Sequence, residues 1–239
     1  MTPTVVGMRC PECARQKTEV RTVRDLTAAP ELTYAIIGVN VVAFLAEMAT
    51  GTGLRGGGTV FFEGALHGPS VADGDLWRII TGGFLHAGLL HIAFNMYFLW
   101  FLGNLLEPAI GKARFALLYV VSLLGGSFGA LLLNPDSYTV GASGAVFGLL
   151  AAAILAARAR GLDPLQSSLG MTLLLNLGIT FLIPGISIGG HIGGLLAGGL
   201  AGYLLFEVAE QRRSAQLPVT VACVALGGVL AVAAFVVAA

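Results

Sequence analysis

The sequence predicts an all-α polytopic membrane protein with seven transmembrane helices. Of its 239 residues, 56% are hydrophobic and 11% are charged, whereas a typical soluble domain has about 25% charged residues. The mean hydropathy is +0.86, the apolar residues are gathered in separate segments, and the cations lie mostly on one side of them. The formal net charge is zero, so no nucleic-acid partner is indicated.

Seven apolar segments are long enough, or nearly so, to cross a bilayer core about 30 Å thick. Each is predicted to be a helix, because the backbone polar groups of a segment in lipid must be paired internally. The segments cover residues 32–49, 89–106, 115–133, 143–157, 165–183, 188–206 and 217–237.

The distribution of Lys and Arg predicts the orientation of these helices. With the N-terminus in the cytoplasm, eleven of the thirteen cations fall on the cytoplasmic side, and only Arg55 and Arg78 fall outside. This bias follows the positive-inside rule. The chain is therefore predicted to be a multi-pass protein of the cell membrane, with a cytoplasmic N-terminus and an extracytoplasmic C-terminus. The loop of residues 50–88 is then outside, and its length predicts that it packs on the membrane surface.

Four polar residues inside the apolar segments need an explanation, because polar groups in a membrane are costly. They are His91 and Asn95 in the second segment, Ser143 at the start of the fourth and His191 in the sixth. Counted back from the charged residue that ends each segment, His91, Ser143 and His191 share one depth, roughly 22–24 Å above the inner boundary. Asn95 lies one turn deeper, on the same helix face as His91.

Glycines four residues apart line the fourth and sixth segments. Such stripes of small residues let two helix backbones approach closely. His191 directly follows the first glycine of the sixth segment's stripe, so close packing can bring it within hydrogen-bond reach of Ser143. The stripes are Gly144 and Gly148 in one segment and Gly190, Gly194, Gly198 and Gly202 in the other.

Each of these polar residues also has an ordinary explanation. A serine in a glycine-rich helix is usually a packing residue, and a histidine in a membrane helix is more often a structural hydrogen-bond donor or part of a proton path. The conjunction of a serine, two histidines and an asparagine at one depth favours catalysis instead, because a serine hydroxyl becomes a nucleophile beside a base. Two other functions stay open: a client-binding protein without activity, and a proton-coupled transporter using His91 and His191, although the internal repeat typical of transporters is not evident.

Several motifs in this order and spacing resemble those of the rhomboid family of intramembrane serine proteases, over residues 33–206. The motifs are Trp77-Arg78 in the first outer loop, the run from His86 through His91 to Asn95, Gly103 and Glu107, the run Gly141-Ala-Ser143-Gly144 with Phe147 and Gly148, and the run from Gly190-His191 to Gly198. The resemblance implies a six-helix core over residues 31–208. Residues 1–30 are then a cytoplasmic tail, and residues 209–239 are a linker and a seventh helix.

The resemblance also implies roles for five residues. Ser143 is the expected nucleophile and His191 the general base. His91 and Asn95 are the expected side-chain donors of an oxyanion hole, together with the Ser143 backbone N–H, and Phe147 packs on the imidazole. No Asp or Glu occurs at the depth of Ser143, so the expected machinery is a Ser–His dyad.

The implied reaction is cleavage of a transmembrane helix of another membrane protein near the extracytoplasmic face. Such a segment must unwind before it is cut, because the hydrogen bonds of a helix hide its peptide bonds. Access is expected to be lateral, past the fifth segment and the loop of residues 185–189. The partners are therefore transmembrane protein substrates and the lipid bilayer. Trp77 and Arg78 are the expected anchor of the outer loop, and His86 is expected to be structural.

Cys10 and Cys13 have the C-x₂-C spacing of half a structural zinc site. A complete site needs four ligands, and this sequence has no second pair. Either the partner cysteines lie upstream of this sequence, or the site forms between chains, or the pair binds nothing. No other cofactor is expected.

Overall fold

The computed structural model of the protein describes most of the chain and almost all of the apolar segments. The described residues are 2–4, 7–9, 29–51, 57–161, 163, 168–208 and 216–239. Cys10 and Cys13, the candidate zinc half-site, lie outside them.

Two short strands precede the helices. Strand β1 (Thr2–Thr4) pairs antiparallel with β2 (Gly7–Arg9), with Thr2 opposite Arg9. Residues 1–30 were expected only to form a tail, and this strand pair was not predicted.

Ten α-helices make up the rest of the described fold. Five of them, α1, α5, α6, α9 with its π-helical end, and α10, are long and apolar enough to cross a membrane, and α7 and α8 are shorter apolar helices. All seven predicted segments therefore correspond to helices, which confirms the all-α polytopic prediction. The helices are α1 (Glu31–Thr50), α2 (Thr59–Gly64), α3 (Gly68–Ala72), α4 (Arg78–Thr81), α5 (Leu89–Ile110), α6 (Lys112–Leu133), α7 (Ser143–Ala159), α8 (Ser168–Leu182), α9 (Ile188–Tyr203, continued by a π-helical turn, Leu204–Val208) and α10 (Gln216–Ala238).

Helix α9 lies between α6 and α7, and glycines form both contact surfaces. On the α7 side, a Cβ on Gly194 would overlap the Gly144 carbonyl, and one on Gly198 would overlap the Gly148 backbone. On the α6 side, a Cβ on Gly189 or Gly193 would likewise overlap the backbone of α6. These two glycine seams hold α9 by direct backbone contact. The glycine spacing predicts the α7 seam but not the α6 seam, which pairs Gly189 and Gly193 with Gly129 and Gly125.

The outer loop is tied down by Arg78, as expected. The Arg78 guanidinium donates to the carbonyls of Phe62 (2.6 Å) and Ala65 (3.0 Å) and pairs with the Asp75 carboxylate (2.8 Å). The Trp77 indole N–H donates to the Glu63 carbonyl at 3.2 Å. These bonds hold α2 and α4 together.

The same loop is joined to the segment that precedes α7. The backbones of Leu66 and Thr139 exchange two hydrogen bonds of 3.0 and 2.8 Å, and the Gly141 N–H donates to the Gly82 carbonyl at 2.9 Å. The outer loop therefore lies at the end of the bundle where α5, α7 and α9 begin.

The start of α1 is capped by a side chain from α5. The buried Glu107 carboxylate accepts hydrogen bonds from the backbone N–H groups of Leu32 (2.9 Å) and Thr33 (2.8 Å) and from the Thr33 hydroxyl (2.7 Å). A carboxylate at a helix N-terminus satisfies unpaired N–H groups and complements the helix dipole. The bond fixes the contact between these two helices at the end of the bundle opposite the outer loop.

Candidate active site

Ser143 and His191 lie at the N-terminal ends of two helices that share a glycine seam. Ser143 is the first residue of α7, and His191 lies in the first turn of α9, where its backbone N–H donates to Ser187. The Ser143 Oγ is 2.8 Å from the His191 Nε2, which is a hydrogen-bond distance. The structure thus brings together the two side chains that the sequence analysis paired.

Phe147, one turn after Ser143, packs against the His191 ring. The two ring centroids are 4.3 Å apart and the planes are inclined by 23°, a stacked arrangement. Phe147 is itself buried. The contact restricts rotation of the imidazole about its own side-chain bonds.

The other nitrogen of His191 has a partner that the sequence analysis missed. The Thr180 hydroxyl, on α8, lies 2.6 Å from the His191 Nδ1. The same hydroxyl donates to the carbonyl of Asn176, one turn earlier, at 2.7 Å. A threonine in an apolar helix that bonds its own preceding turn is common, so the sequence carries no signal that separates Thr180 from other threonines.

His91 and Asn95 lie on one face of α5, beside the dyad. The Ala87 backbone N–H donates to the His91 Nδ1 at 3.3 Å, and the Asn95 amide donates to the His91 carbonyl at 2.9 Å. Gly141 passes directly against the His91 ring, since a Cβ at Gly141 would be 2.7 Å from the ring atoms Cε1 and Nε2 and 3.6 Å from the Ser143 Oγ. The His91 Nε2 therefore faces the backbone that leads into Ser143.

A cavity of about 1140 Å³ contains all four of these polar side chains in its lining. Its other walls are largely apolar and come from α5, α6, α8 and the segment before α7. Helix α8 contributes Leu175 and Ile179, and the loop between α8 and α9 contributes Gly185. The dyad thus faces a space large enough to hold a stretch of extended peptide.

The other two histidines, His67 and His86, do not belong to this group of four polar side chains. His67 stacks on Tyr138 with ring centroids 4.2 Å apart. His86 is fully buried, and its backbone N–H donates to the Glu47 carboxylate. Burial lowers the pKa of His86 to about 3, so this side chain is neutral at physiological pH, and its ring lies edge-on to His91. Within the described residues no three His, Cys, Asp or Glu side chains are grouped in a way that could hold a metal.

Comparisons with known proteins place these residues in a family. The model of the rhomboid domain matches residues 73–208, which is more than half of the chain. The chain is 32% identical over 194 residues to Rhomboid protease GluP of Bacillus subtilis (strain 168), covering 80% of this chain and 38% of that protein. It is 38% identical over 150 residues to RHOMBOID-like protein 5 of Arabidopsis thaliana, covering 59% of this chain and 48% of that protein.

A third relative is nearer in size to the matched region. The chain is 36% identical over 146 residues to the Putative rhomboid protease YdcA of Bacillus subtilis (strain 168), which covers 59% of this chain and 73% of the relative. The chain spans less than half the length of the first two relatives. The residues matched by the family model nevertheless contain α5 to α9, which carry Ser143, His191 and most of the cavity lining. The resemblance seen in the motifs is confirmed, and the chain belongs to the rhomboid family.

Proposed function

We propose that the chain is an intramembrane serine endopeptidase that cleaves transmembrane segments of other membrane proteins near the extracytoplasmic face. The observation that carries the proposal is the 2.8 Å hydrogen bond between the Ser143 Oγ and the His191 Nε2 on the wall of a large cavity. Family membership supports it, since two of the relatives are described as rhomboid proteases.

In the proposed reaction His191 is the general base and Ser143 the nucleophile. As the Ser143 Oγ attacks the scissile carbonyl carbon, its proton passes to the His191 Nε2. The imidazolium then gives this proton to the leaving amine, which departs from an acyl-enzyme ester. Water attacks the ester with His191 again as the base, which releases the second product and restores the serine.

The oxyanion of each tetrahedral intermediate is proposed to be held by three donors. Because the His91 Nδ1 accepts a hydrogen bond from Ala87, the proton of a neutral imidazole resides on Nε2, the atom that faces Gly141 and Ser143. An amide carries two N–H donors, so Asn95 keeps a second one beside its bond to His91. The Ser143 N–H is one of the first four of α7, which have no partner within a helix, and it lies at the positive end of the helix dipole.

The cavity suits a substrate that has left its helical conformation. Its walls offer apolar surface between α5 and α8, which favours lateral access from the bilayer over access along the bundle axis. A segment rich in Gly or other helix-weakening residues would unwind at least cost. With the proposed cytoplasmic N-terminus, the dyad lies near the extracytoplasmic face, at the same end of the bundle as the outer loop, and the C-terminus after α10 is extracytoplasmic.

The decisive experiment incubates the purified protein in liposomes with a panel of single-span substrates. Wild-type protein should cut within or next to the extracytoplasmic end of a span, and Ser143→Ala should not. Ser137→Ala, a change of an exposed serine on the cavity wall, is the matched control and should cleave at the wild-type rate. Equal cleavage by wild type and Ser143→Ala would refute the proposed nucleophile.

A fluorophosphonate probe tests the dyad without a protein substrate. An activated serine attacks the phosphorus, so the probe should label Ser143 in the wild type, and His191→Ala should remove most of the labelling. Labelling should also fall with decreasing pH, since a protonated imidazole cannot accept the serine proton. Equal labelling of wild type and His191→Ala would make His191 a structural histidine and would contradict the proposal.

A further inference from the structure

Helix α8 is buried only at its first turn and at Thr180, the residue that contacts His191. Three of its residues, Leu169, Gly170 and Thr180, are buried. Thr180 is 2% exposed, although it is polar and lies between strongly exposed apolar neighbours. A buried hydroxyl requires hydrogen-bond partners, and both of those that Thr180 has are described above. The exposed apolar residues of α8 are Met171, Leu174, Leu175, Ile179, Phe181 and Leu182.

The hydrogen bonds of Thr180 determine where the proton of a neutral His191 resides. A threonine hydroxyl has one proton and two lone pairs. Thr180 donates that proton to the Asn176 carbonyl at 2.7 Å. At 2.6 Å from the His191 Nδ1 it must therefore accept, and the proton of this bond belongs to Nδ1. The lone pair of the neutral ring is then on Nε2, which faces the Ser143 hydroxyl at 2.8 Å.

We propose that Thr180 is a positioning residue that holds His191 in the Nδ1–H tautomer, the only neutral form that can take the proton of Ser143. This inference rests on the proposed function for its catalytic meaning. The opposite tautomer would place an N–H against the serine oxygen and leave no base there. Thr180 fills the position that a carboxylate has in a Ser–His–Asp triad, but as a neutral acceptor. When Nε2 becomes protonated, the Nδ1–H bond to Thr180 is retained, so the imidazolium keeps its orientation through the reaction.

Phe147 and Thr180 act on different properties of the same ring. Stacking on Phe147 restricts the plane of the imidazole but does not distinguish its two nitrogens, because either tautomer stacks equally well. A hydrogen bond in the ring plane does distinguish them. The tautomer of His191 therefore depends on α8. The distance between the His191 and Ser143 side chains depends instead on the glycine seam between α7 and α9.

Three variants on α8 separate the hydroxyl from the side-chain volume. Thr180→Val removes the hydroxyl and keeps the branched shape. Thr180→Ser keeps the hydroxyl and loses one methyl group. Thr172→Val is the matched control, since it makes the same change two turns earlier on the same helix, also in the cavity wall.

The primary measurement is the tautomer itself. In protein labelled with ¹⁵N-histidine at a pH where His191 is neutral, the imidazole ¹⁵N shifts distinguish Nδ1–H from Nε2–H, and the His191 signals are assigned by their loss in His191→Asn. Wild type, Thr180→Ser and Thr172→Val should show Nδ1–H. Thr180→Val should shift the population towards Nε2–H. A wild-type protein with Nε2–H, or a tautomer unchanged in Thr180→Val, would overturn the inference.

Kinetics give the second readout. Thr180→Val should lower kcat by roughly tenfold to a hundredfold with KM unchanged, since the hydrogen bond orients the base and does not contact substrate. Its fluorophosphonate labelling rate should fall by the same factor, and Thr180→Ser should restore both to within about threefold of wild type. The tautomer measurement needs no substrate, so it tests the role of Thr180 even if the wild-type protein cleaves nothing. Absence of cleavage by the wild type would refute the proposed function but not the tautomer assignment.

Discussion

Gly141→Ala should disable the proposed oxyanion hole through a single methyl group. A Cβ at this position would be 2.7 Å from both Cε1 and Nε2 of His91, whereas carbon atoms in ordinary contact are about 3.5–4.0 Å apart. The imidazole must therefore retreat by about 1 Å. A donor that lies 2.7–3.1 Å from an oxyanion loses its hydrogen bond after such a shift.

The expected loss of kcat follows from the contribution of one oxyanion donor to the rate. Removing a donor from an oxyanion hole costs about 10²–10³ in kcat, and Gly141→Ala should fall near the lower end, because Asn95 and the Ser143 N–H remain. KM should change little, since the donor acts on the transition state. The backbone contributes a separate effect on stability: Gly141 has a φ of +123°, and holding an L-residue in that sparsely populated region costs about 1–3 kcal/mol.

Gly111→Ala is the control that separates these two effects. Gly111 also has a positive φ, +82°, but no atom lies within 4 Å of its added Cβ. Gly111→Ala should lose the stability due to the backbone alone, Gly141→Ala should lose at least as much, and only Gly141→Ala should lose turnover in a liposome cleavage assay. If Gly111→Ala loses as much activity, the effect is one of destabilisation. If Gly141→Ala keeps wild-type kcat, the assignment of His91 as an oxyanion donor is wrong.

Three further predictions concern the second donor, the cap of α1 and the topology. Asn95→Ala should lower kcat by about one to three decades with nearly unchanged KM; a collapse of affinity with normal turnover would assign Asn95 to substrate binding. Glu107→Gln should lower the stability of the protein by about 1–3 kcal/mol in a thermal or denaturant titration, because an amide cannot accept from all three donors of α1; an unchanged midpoint would argue against the cap. A reporter fused after Arg213 should read cytoplasmic and one after Ala239 extracytoplasmic; the reverse pair would place the dyad near the cytoplasmic face.

The sequence was informative where membrane physics leaves few choices. Every apolar segment that was predicted to span the bilayer is a helix, and the helix ends differ by a few residues. Helix α5, for example, continues through Pro108 to Ile110 although the apolar run stops at residue 106. Polar residues at one depth also identified the constellation of Ser143, His191, His91 and Asn95, because a polar side chain in lipid is rare enough to be a signal.

Features that depend on how helices are rotated against one another were not predicted. Thr180 is eleven residues from His191 and on another helix, and its contact with Nδ1 depends on the tilt of α8, which no local pattern encodes. The seam between α6 and α9 was missed because the glycines of α9 come in adjacent pairs. Gly193 faces α6 and its neighbour Gly194 faces α7, and only the stripe that contains Gly194 was recognised from the spacing. The β-bridge between Leu66 and Thr139 joins two loops, and loop pairing has no periodicity to reveal it.

The backbone contact between α7 and α9 also limits how far the Ser143 Oγ and the His191 Nε2 can move relative to each other. Because α7 and α9 touch backbone to backbone, no side chain can rearrange between them and change their spacing. Only one torsion angle of Ser143 and two of His191 then lie between the fixed backbones and the Oγ–Nε2 bond, and Phe147 restricts the latter two. Fixing a side chain of this kind costs entropy once, when the bundle folds. The alignment of the proposed nucleophile and base is therefore already present before a substrate arrives, and in the proposed reaction the binding energy of the substrate remains for unwinding its own helix.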